Sequence, residues 1–232
     1  MNHHFDWLIE RALEEDIGTG DVTAKYFVPA DRMATALLVA RQEGVIAGTE
    51  LAKAVFARVD AALEIDVLIG DGSRVAQGAL IMKISGSARS ILTAERTALN
   101  FMQRLGGIAT QTYEFVKAVE GTQAKILDTR KTTPGWRQLE KAAVLAGGGV
   151  NHRIGLYDRA MVKDNHLVAE GGIEELQAAI DRLSADHPDV EVELEADRLE
   201  QVEKFLTMRS VDYILLDNMS ASEMRQAVEM RG

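Results

Sequence analysis

The sequence predicts an α/β protein in two parts, and two observations support this fold class. Up to about residue 110, strand-like and helix-like segments follow one another irregularly, as in a mixed α+β unit. Beyond that point, short apolar segments typical of buried strands alternate with segments of helical periodicity. Strands separated by helices indicate βαβ units and a parallel sheet, either doubly wound or closed into a barrel.

In the first part, we predict a helix over about residues 5–15 and a strand in "ATALLVAR". A helix follows in "ELAKAVFARVD", with Thr49 as its N-cap. Two further strands, "EIDVLI" and "LIMKISG", are joined through "GDGSRVAQG", where "GDGS" is typical of a hairpin turn. A long helix in "SARSILTAERTALNFMQRL" is expected to break at Gly106–Gly107, before a second helix in "ATQTYEFVKAVEG".

In the second part, the predicted strands are "AKILDT", "RAMVKD", "VEVELE" and "DYILLD". The predicted helices between and after them are "GWRQLEKAAVLA", "IEELQAAIDRLSA", "RLEQVEKFLTM" and "SASEMRQAVEM". We therefore predict domains at residues 1–110 and 111–232.

Composition excludes several classes of protein. The 232 residues include no Cys, which excludes disulfides, thiolate chemistry and Cys-based zinc sites. No apolar stretch approaches the ~20 residues of a membrane span, and the charged N-terminus lacks the pattern of a signal peptide. The net charge of −10 argues against nonspecific nucleic-acid binding. We expect a soluble, cytoplasmic protein that binds neither membrane nor nucleic acid.

One segment of this acidic chain is basic. Residues 125–166 contain eight Lys and Arg but only four Asp and Glu, a net charge of +4. Arg can hold a carboxylate or phosphate through two parallel hydrogen bonds, while Lys acts as a point charge. The alternative interpretation of Arg130 and Lys131 is that both are solvent-exposed loop residues, which is the usual case for such a pair. The segment raises the question of which anion the protein binds.

Each predicted strand of the second part ends in, or is directly followed by, a charged residue. Arg130 and Lys131 follow the first strand, and Lys163, Glu195 and Asp217 end the next three. The carboxyl ends of parallel strands face the active site in α/β folds. A single charged residue in this position is usually a helix cap or a solvated loop residue. Four strand ends with charge favour convergence on one site.

The glycine-rich stretch "AGGGVNHR" has two interpretations. Consecutive glycines let the backbone approach a ligand closely, or they form a tight structural turn. His152 and Arg153 provide hydrogen-bond donors beside it, although a lone His is more often structural than catalytic. His166 lies thirteen residues after Arg153, and no spacing here is typical of zinc ligands.

The order of several motifs resembles one enzyme family. "AERTALNF", "GGIAT", "DTRKTTPGWRQLEKAAVLAGGGVNHRIGLYD", "VKDNH", "VELEAD" and "ILLDN" resemble quinolinate phosphoribosyltransferase, also called carboxylating nicotinate-nucleotide pyrophosphorylase. The long central motif is highly specific, and the resemblance extends from "EEDIGTGDVTA" to the last residues. It therefore covers almost the whole chain.

The resemblance implies a fold, a reaction and partners. The fold would be an N-terminal α/β sandwich domain plus a C-terminal open, TIM-like α/β barrel that carries most of the active site. The enzyme, a pentosyltransferase of NAD biosynthesis, would convert quinolinate and phosphoribosyl pyrophosphate to nicotinate mononucleotide, CO2 and pyrophosphate. It would work with Mg2+ and as a homodimer. Both substrates are polyanions, which would explain the basic segment.

The resemblance also implies functional residues. The substrate-binding residues would be Arg96, Thr129, Arg130, Lys131, His152, Arg153, Lys163, Glu195 and Asp217. Arg96 would reach the quinolinate site of the neighbouring subunit. Lys131, Glu195 and Asp217 would be catalytic. The two carboxylates would stabilise the cationic ribose or hold Mg2+.

Two features depart from the family pattern. Gly106 stands in "GGIAT" where the family usually has Ser, a small change. The chain ends at Gly232, before the further strands and glycine-rich loops that bind the ribose 5′-phosphate in the family. Four or five βα units do not close an eight-stranded barrel, so we expect a truncated chain.

Three alternatives stay open. A molybdenum-transport-associated relative shares the "TRKT", "GGG" and "HR" core, but "KDNH" at 163–166 favours quinolinate phosphoribosyltransferase. A non-catalytic anion-binding remnant of the scaffold, without its phosphate loops, would bind the substrates without turnover. An unrelated barrel with a generic anion site would leave "AERT" and "VKDNH" unexplained.

Overall fold

The computed structural model describes residues 5–163 and 172–232. The chain forms two compact units, Met1–His152 and Arg153–Gly232, and each is described by itself. The division falls after the glycine-rich motif, whereas the sequence predicts a domain boundary near residue 110. That boundary stays a prediction.

The first unit contains five helices and five strands in its described part. They are α1 (Asp6–Ile17), α2 (Val22–Phe27), β1 (Met33–Val39), β2 (Gly44–Val45), α3 (Thr49–Val59), β3 (Glu64–Val67), β4 (Arg74–Val75), β5 (Leu80–Ser87), α4 (Ala88–Ala118) and α5 (Arg137–Ala146). The predicted N-terminal helix and the three predicted strands are confirmed.

The core of the first unit lies between an antiparallel sheet and its helices. The sheet has the order β1-β5-β3, and β2 pairs separately with β4. Ile81, Met82 and Ile84 of β5 are buried, together with Val55 of α3 and Phe101 of α4. Burial of such side chains contributes about 1.5–3 kcal/mol each to folding. This unit is the mixed α+β structure that the sequence predicts.

The predicted helix break at Gly106–Gly107 is wrong, because α4 runs unbroken over its 31 residues. Each helical glycine costs up to about 1 kcal/mol relative to alanine, but packing outweighs this cost. Leu105 and Ala109 on either side are buried in the core. A Cβ on Gly106 would lie 3.4 Å from the Val45 carbonyl oxygen, so the small residue lets β2 come close.

The predicted role of Thr49 as the N-cap of α3 is also wrong. The cap position is Gly48, in the left-handed conformation, and Thr49 is the first helical residue. Asp71 supplies the capping oxygens: it accepts hydrogen bonds from the Gly48 and Thr49 backbone N–H groups at 2.8 and 2.9 Å. The "GDGS" turn therefore has a structural role beyond joining two strands, since its carboxylate satisfies the exposed donors of a helix start.

The second unit alternates strand and helix. Its elements are β6 (Arg159–Val162), α6 (Ile173–Asp186), β7 (Glu191–Ala196), α7 (Leu199–Leu206), β8 (Tyr213–Leu216) and α8 (Ala221–Arg231). The strands pair in parallel in the order β6-β7-β8, which confirms three of the four predicted strands and the helices that follow β7 and β8. The predicted α/β class is confirmed.

The two faces of the parallel sheet differ in chemistry. On one face, Val192 and Leu194 are buried against an apolar cluster that includes Ile180 of α6 and Phe205 of α7. Because side chains alternate along a strand, Glu191, Glu193 and Glu195 lie on the other face. This polar face carries Glu195, one of the charged strand ends that the sequence singles out.

The remaining predicted strand, "AKILDT", is reduced to a single parallel bridge between Leu127 and Val150. Backbone hydrogen bonds join Asp128 N–H to Val150 O at 3.2 Å and Val150 N–H to Ile126 O at 2.8 Å. The β-ladder ends here because the Asp128 carboxylate accepts the hydrogen bond from the His152 N–H. This interaction replaces the next backbone pairing.

The glycine triplet forms a structural turn against α4. A Cβ on Gly147 would lie 2.4 Å from the Ala109 carbonyl oxygen, and one on Gly149 would lie 2.9 Å from Thr112 Cγ2. Gly148 between them has a φ of +85°, which favours glycine. Of the two interpretations, the tight turn accounts for all three glycines.

In the described part of the chain, no helix combines the length and apolar character that crossing a membrane requires.

The glycines allow a matched test of packing. We expect Gly147→Ala to destabilise the first unit by about 3 kcal/mol, because its Cβ would overlap backbone atoms of α4. Gly107 lies on α4 itself, and among the described residues no atom outside the local helix backbone would come within 4 Å of a Cβ at this position. Gly107→Ala should stabilise the unit by about 0.5–1 kcal/mol. Urea unfolding measures both changes, and equal effects of the two substitutions would contradict the packing of the turn.

Candidate active site

The first unit holds the predicted binding residues 129–131 in one loop. The Thr129 side chain accepts a hydrogen bond from the Lys131 backbone N–H at 3.0 Å, and both residues are exposed. Arg130 is half-buried, and its Nε has no hydrogen-bond partner within the described ranges. A buried donor without a partner is costly, so Arg130 is suited to an incoming acceptor such as a carboxylate or phosphate.

Helix α5 braces the end of this loop. Arg137 Nε donates to Thr132 Oγ1 at 3.1 Å, and Glu140 accepts a hydrogen bond from Thr133 Oγ1 at 2.8 Å. Arg104 of α4 donates to the same carboxylate at 2.9 Å. Burial raises the pKa of Glu140, but the hydrogen bonds from Arg104 and Thr133 outweigh it, so the pKa lies below its usual value. Glu140 therefore stays ionised and holds the loop at neutral pH.

A second cluster lies at the start of the loop, around Asp128. The buried Lys141 ammonium forms an ion pair with the Asp128 carboxylate and donates to the His152 carbonyl oxygen at 2.8 Å. Asp128 also accepts the His152 backbone N–H at 2.8 Å. The structure thus brings His152 and the 129–131 loop together through Asp128.

In the second unit, three predicted site residues lie at the carboxyl ends of adjacent strands. Lys163 follows β6 directly, Glu195 is the penultimate residue of β7, and Asp217 follows β8. Lys163 Nζ lies 3.0 Å from Glu195 Oε2, and the Asp217 backbone N–H donates to Ala196 O at 2.8 Å. These three residues therefore lie at one edge of the sheet, and the convergence of all four charged strand ends on one site stays a prediction.

Further charged groups occupy the polar face behind them. Arg159 pairs with Glu191 and lies 3.6 Å from the buried Glu193 carboxylate. The Tyr213 hydroxyl donates to Glu191 at 3.0 Å, and this bond raises the pKa of Tyr213. The Arg159 guanidinium also stacks over the Tyr213 ring at 4.3 Å. This network satisfies charges that would be costly if buried alone.

Arg153 is directed along β6. One guanidinium nitrogen donates to the Arg159 carbonyl oxygen at 3.1 Å, and the other lies 3.4 Å from Met161 Sδ. The guanidinium is half-buried, and these contacts orient it.

Arg96 is an exposed residue of α4, in the first unit. Among the described residues it has no hydrogen bond or ion pair, which leaves its guanidinium available to a partner molecule. The "KDNH" interpretation rests partly on residues 164–166, including His166, which lie outside the described residues.

The carboxylates Glu195 and Asp217 are compatible with Mg2+ chemistry. No group of three or more His, Asp or Glu within the described ranges forms a ready-made metal site. Mg2+, however, is usually bound by one or two carboxylates together with substrate phosphates and water. Two carboxylates at neighbouring strand ends fit that mode.

Sequence reasoning missed the residues that hold the site in place. Asp128, Glu140 and Lys141 lie inside the long motif, yet neither charge nor spacing distinguishes them from exposed residues. The available signal was that Glu140 and Lys141 fall between Leu139 and Ala143, which are apolar residues on the buried side of α5.

Two family models match consecutive parts of the chain, from residue 21 to residue 232. The model described as "Quinolinate phosphoribosyl transferase, N-terminal domain" matches residues 21–106. The model described as "Quinolinate phosphoribosyl transferase, C-terminal domain" matches residues 108–232. Together they cover more than half of the chain.

Named relatives are similar over nearly the whole chain. Nicotinate-nucleotide pyrophosphorylase [carboxylating] of Mycobacterium leprae is 44% identical over 226 residues, which span 96% of this chain and 78% of the relative. Quinolinate phosphoribosyltransferase [decarboxylating] 2b, mitochondrial, of Nicotiana tabacum is 41% identical over 239 residues, spanning 96% and 68%.

Solved structures agree with these similarities. The crystal structure of NadC from Streptococcus pyogenes has a TM-score of 0.92 at 39% identity and covers 100% of this chain and 81% of its own. The nicotinate-nucleotide pyrophosphorylase from Francisella tularensis has a TM-score of 0.90 at 37% identity, with coverage of 99% and 80%.

Proposed function

The chain belongs to the quinolinate phosphoribosyltransferase family, and we infer that it catalyses the decarboxylating transfer that this family name describes. It converts quinolinate and phosphoribosyl pyrophosphate to nicotinate mononucleotide, CO2 and pyrophosphate, a step of NAD biosynthesis. The observation that carries this conclusion is identity above 40% to named enzymes across 96% of the chain.

We propose that the cationic side chains bind the two anionic substrates. Quinolinate carries two adjacent carboxylates, and phosphoribosyl pyrophosphate carries three phosphoryl groups. Arg130, Lys131, His152, Arg153 and Lys163 supply charge and hydrogen-bond donors for them. The Nε of Arg130, buried and without a hydrogen-bond partner in the part of the chain that the structure describes, supports this role, because a carboxylate or phosphate oxygen would satisfy it.

The carboxylates Glu195 and Asp217 are assigned to the ribose. Departure of pyrophosphate leaves positive charge at the anomeric carbon, and a fixed carboxylate stabilises that charge as it develops. Mg2+ would be held by the same carboxylates and would neutralise the leaving pyrophosphate. Lys131 is the third residue that we assign to catalysis, and its ammonium group would act as a point charge toward the anionic substrates.

The decarboxylation requires positioning more than a base. The ring nitrogen of quinolinate forms the new bond to the anomeric carbon while the bond to pyrophosphate breaks. The nitrogen then carries a positive charge, which accommodates the electron pair left at ring carbon 2 when CO2 departs. A proton replaces the carboxylate at that carbon.

Substrate choice tests the proposed function. Nicotinate lacks the carboxylate at carbon 2, so the hydrogen-bond donors that bind this carboxylate would lose their acceptor, at a cost of a few kcal/mol. Sites that bond a polar group can reject analogues that lack it by ~10⁴-fold. We expect quinolinate to be the substrate and nicotinate at most a weak ligand. The measurement is kcat/KM for both acids at matched phosphoribosyl pyrophosphate and Mg2+, and comparable values would move the protein to a nicotinate-using enzyme.

Neutralising Glu195 tests the role of the carboxylates. We expect Glu195→Gln to lower kcat by about 100-fold or more, the scale for removal of one preorganised electrostatic group. Quinolinate affinity, measured by calorimetry, should change little. Glu191→Gln is the matched control, because Glu191 lies on the same strand and face and pairs with Arg159. Near-normal turnover of Glu195→Gln would show that this role is wrong.

We propose a homodimer in which Arg96 completes the neighbouring site. The exposed position of Arg96 on α4 and its lack of a partner within the described residues support this assignment. A positive charge across the interface would bind a quinolinate carboxylate, so each site would need both chains.

Hybrid dimers test the shared site. Arg96→Ala and Lys163→Ala should each be nearly inactive alone, because each lacks one cation in every site. After subunit exchange, one site of the hybrid dimer has both cations, so mixing should restore part of the activity. Fluorescence energy transfer between labelled subunits confirms the exchange. Confirmed exchange without restored activity would contradict a shared site.

The location of the enzyme is proposed from the sequence as cytoplasmic. The plant relatives are named as mitochondrial or chloroplastic proteins, so the compartment differs between members of the family.

A further inference from the structure

Lys141 and Asp128 form a buried ion pair that the proposed reaction does not use. Their side chains are 1% and 6% exposed. Lys141 lies on the inner side of α5, next to the buried Leu139 and Ala143. Replacing a buried ion pair by apolar residues is often neutral or stabilising, so stability alone is a weak reason for this arrangement.

The pair holds both backbone groups of His152. Asp128 Oδ1 accepts the His152 N–H at 2.8 Å, and Lys141 Nζ donates to the His152 carbonyl oxygen at 2.8 Å. With its amide oriented to suit its neighbours, Asn151 donates to the other Asp128 oxygen at 2.7 Å and to the Lys141 carbonyl oxygen at 3.0 Å. The peptide units on both sides of His152 are therefore fixed by charged groups.

The same carboxylate belongs to the second binding segment. Asp128 directly precedes the 129–131 loop, and its backbone N–H donates to Val150 O at 3.2 Å. Charge-assisted hydrogen bonds are about twice as strong as neutral ones, and they are shielded from water here. One buried pair thus ties together two segments that are far apart in sequence, residues 128–131 and 150–152.

We propose that Lys141 and Asp128 are positioning residues, which act through the backbone of His152 and the start of the 129–131 loop. This inference rests on the proposed function, in which both segments bind substrate. Neither side chain touches substrate. Their role is to keep the substrate-binding groups of the two segments in place relative to each other, because small displacements of binding groups are costly in catalysis.

The test separates folding from positioning. Lys141→Met leaves the Asp128 carboxylate buried without its cation, and this single variant should be strongly destabilised. The double variant Asp128→Leu/Lys141→Met removes both charges and should recover much of that stability. We nevertheless expect its kcat/KM for quinolinate to stay about 100-fold below the wild-type value, on the scale of a misplaced binding group. A purely structural pair would instead recover activity together with stability.

A control and a second variant keep the test decisive. Asp71→Asn weakens the cap of α3 in the same unit without touching His152, so it should lower the melting temperature and leave kcat/KM unchanged. If the double variant does not fold, Asp128→Asn/Lys141→Met serves, since it also removes both charges and keeps the shape of the Asp128 side chain. We expect it to lower kcat/KM by about tenfold, the effect of losing a charged hydrogen bond to His152. Wild-type kcat/KM in either folded double variant would overturn the proposal.

Amide exchange of His152 separates this inference from the proposed function. An inactive wild type would contradict the proposed function, and the exchange rate would still report on the pair. We expect the His152 N–H to be protected in the wild type and to exchange at least tenfold faster in the double variant, because its acceptor is gone. Unchanged protection in NMR exchange measurements would overturn the positioning role whatever the activity.

Discussion

The cost of taking charge out of water is the constraint on which both units depend. Lys141 and Glu140 are neighbours on α5, both buried, and each is paired with an opposite charge. In the second unit, the buried Glu193 faces Arg159, and Lys163 faces Glu195. An unpaired charge at the buried Glu140, Lys141 or Glu193 would cost several kcal/mol, so the pairs of these residues determine where the elements that carry them lie. Lys141, Arg159 and Lys163 of the basic segment are therefore paired with carboxylates before a substrate arrives.

Packing against α4 decides the form of the first unit. Local preference predicts a break at Gly106–Gly107, yet the helix continues because its buried face continues. The same helix receives the glycine turn, where Gly147 has no room for a side chain beside Ala109. Glycine therefore acts in two opposite ways within one unit: it is tolerated inside a helix and required beside it.

Much of the fold and part of the site could be predicted from the sequence. The alternation of apolar and helical segments identified β6, β7 and β8, and the rule for parallel strands predicted that Lys163, Glu195 and Asp217 share one edge. The prediction of a strand in "AKILDT" was wrong beyond a single bridge, because the Asp128 side chain, and not its backbone carbonyl, accepts the hydrogen bond from the His152 N–H. Asp71 and Asp128 could not be found, since a charged residue that is buried and paired has the same letter as one in solvent, and the place of Lys141 between apolar residues of α5 was its only signal.

The sequence by itself determined the family, the α/β class and the chemical types of the binding groups, because motifs, periodicity and residue charge are properties of the chain alone. Only the tertiary structure decided which charges are paired internally and which stay free for a ligand. That distinction depends on distances between residues far apart in sequence, such as Asp128 and Lys141 or Lys163 and Glu195. The free energy of burying a charge depends on which opposite charges lie near it in the folded chain, and the order of the residues does not give those neighbours.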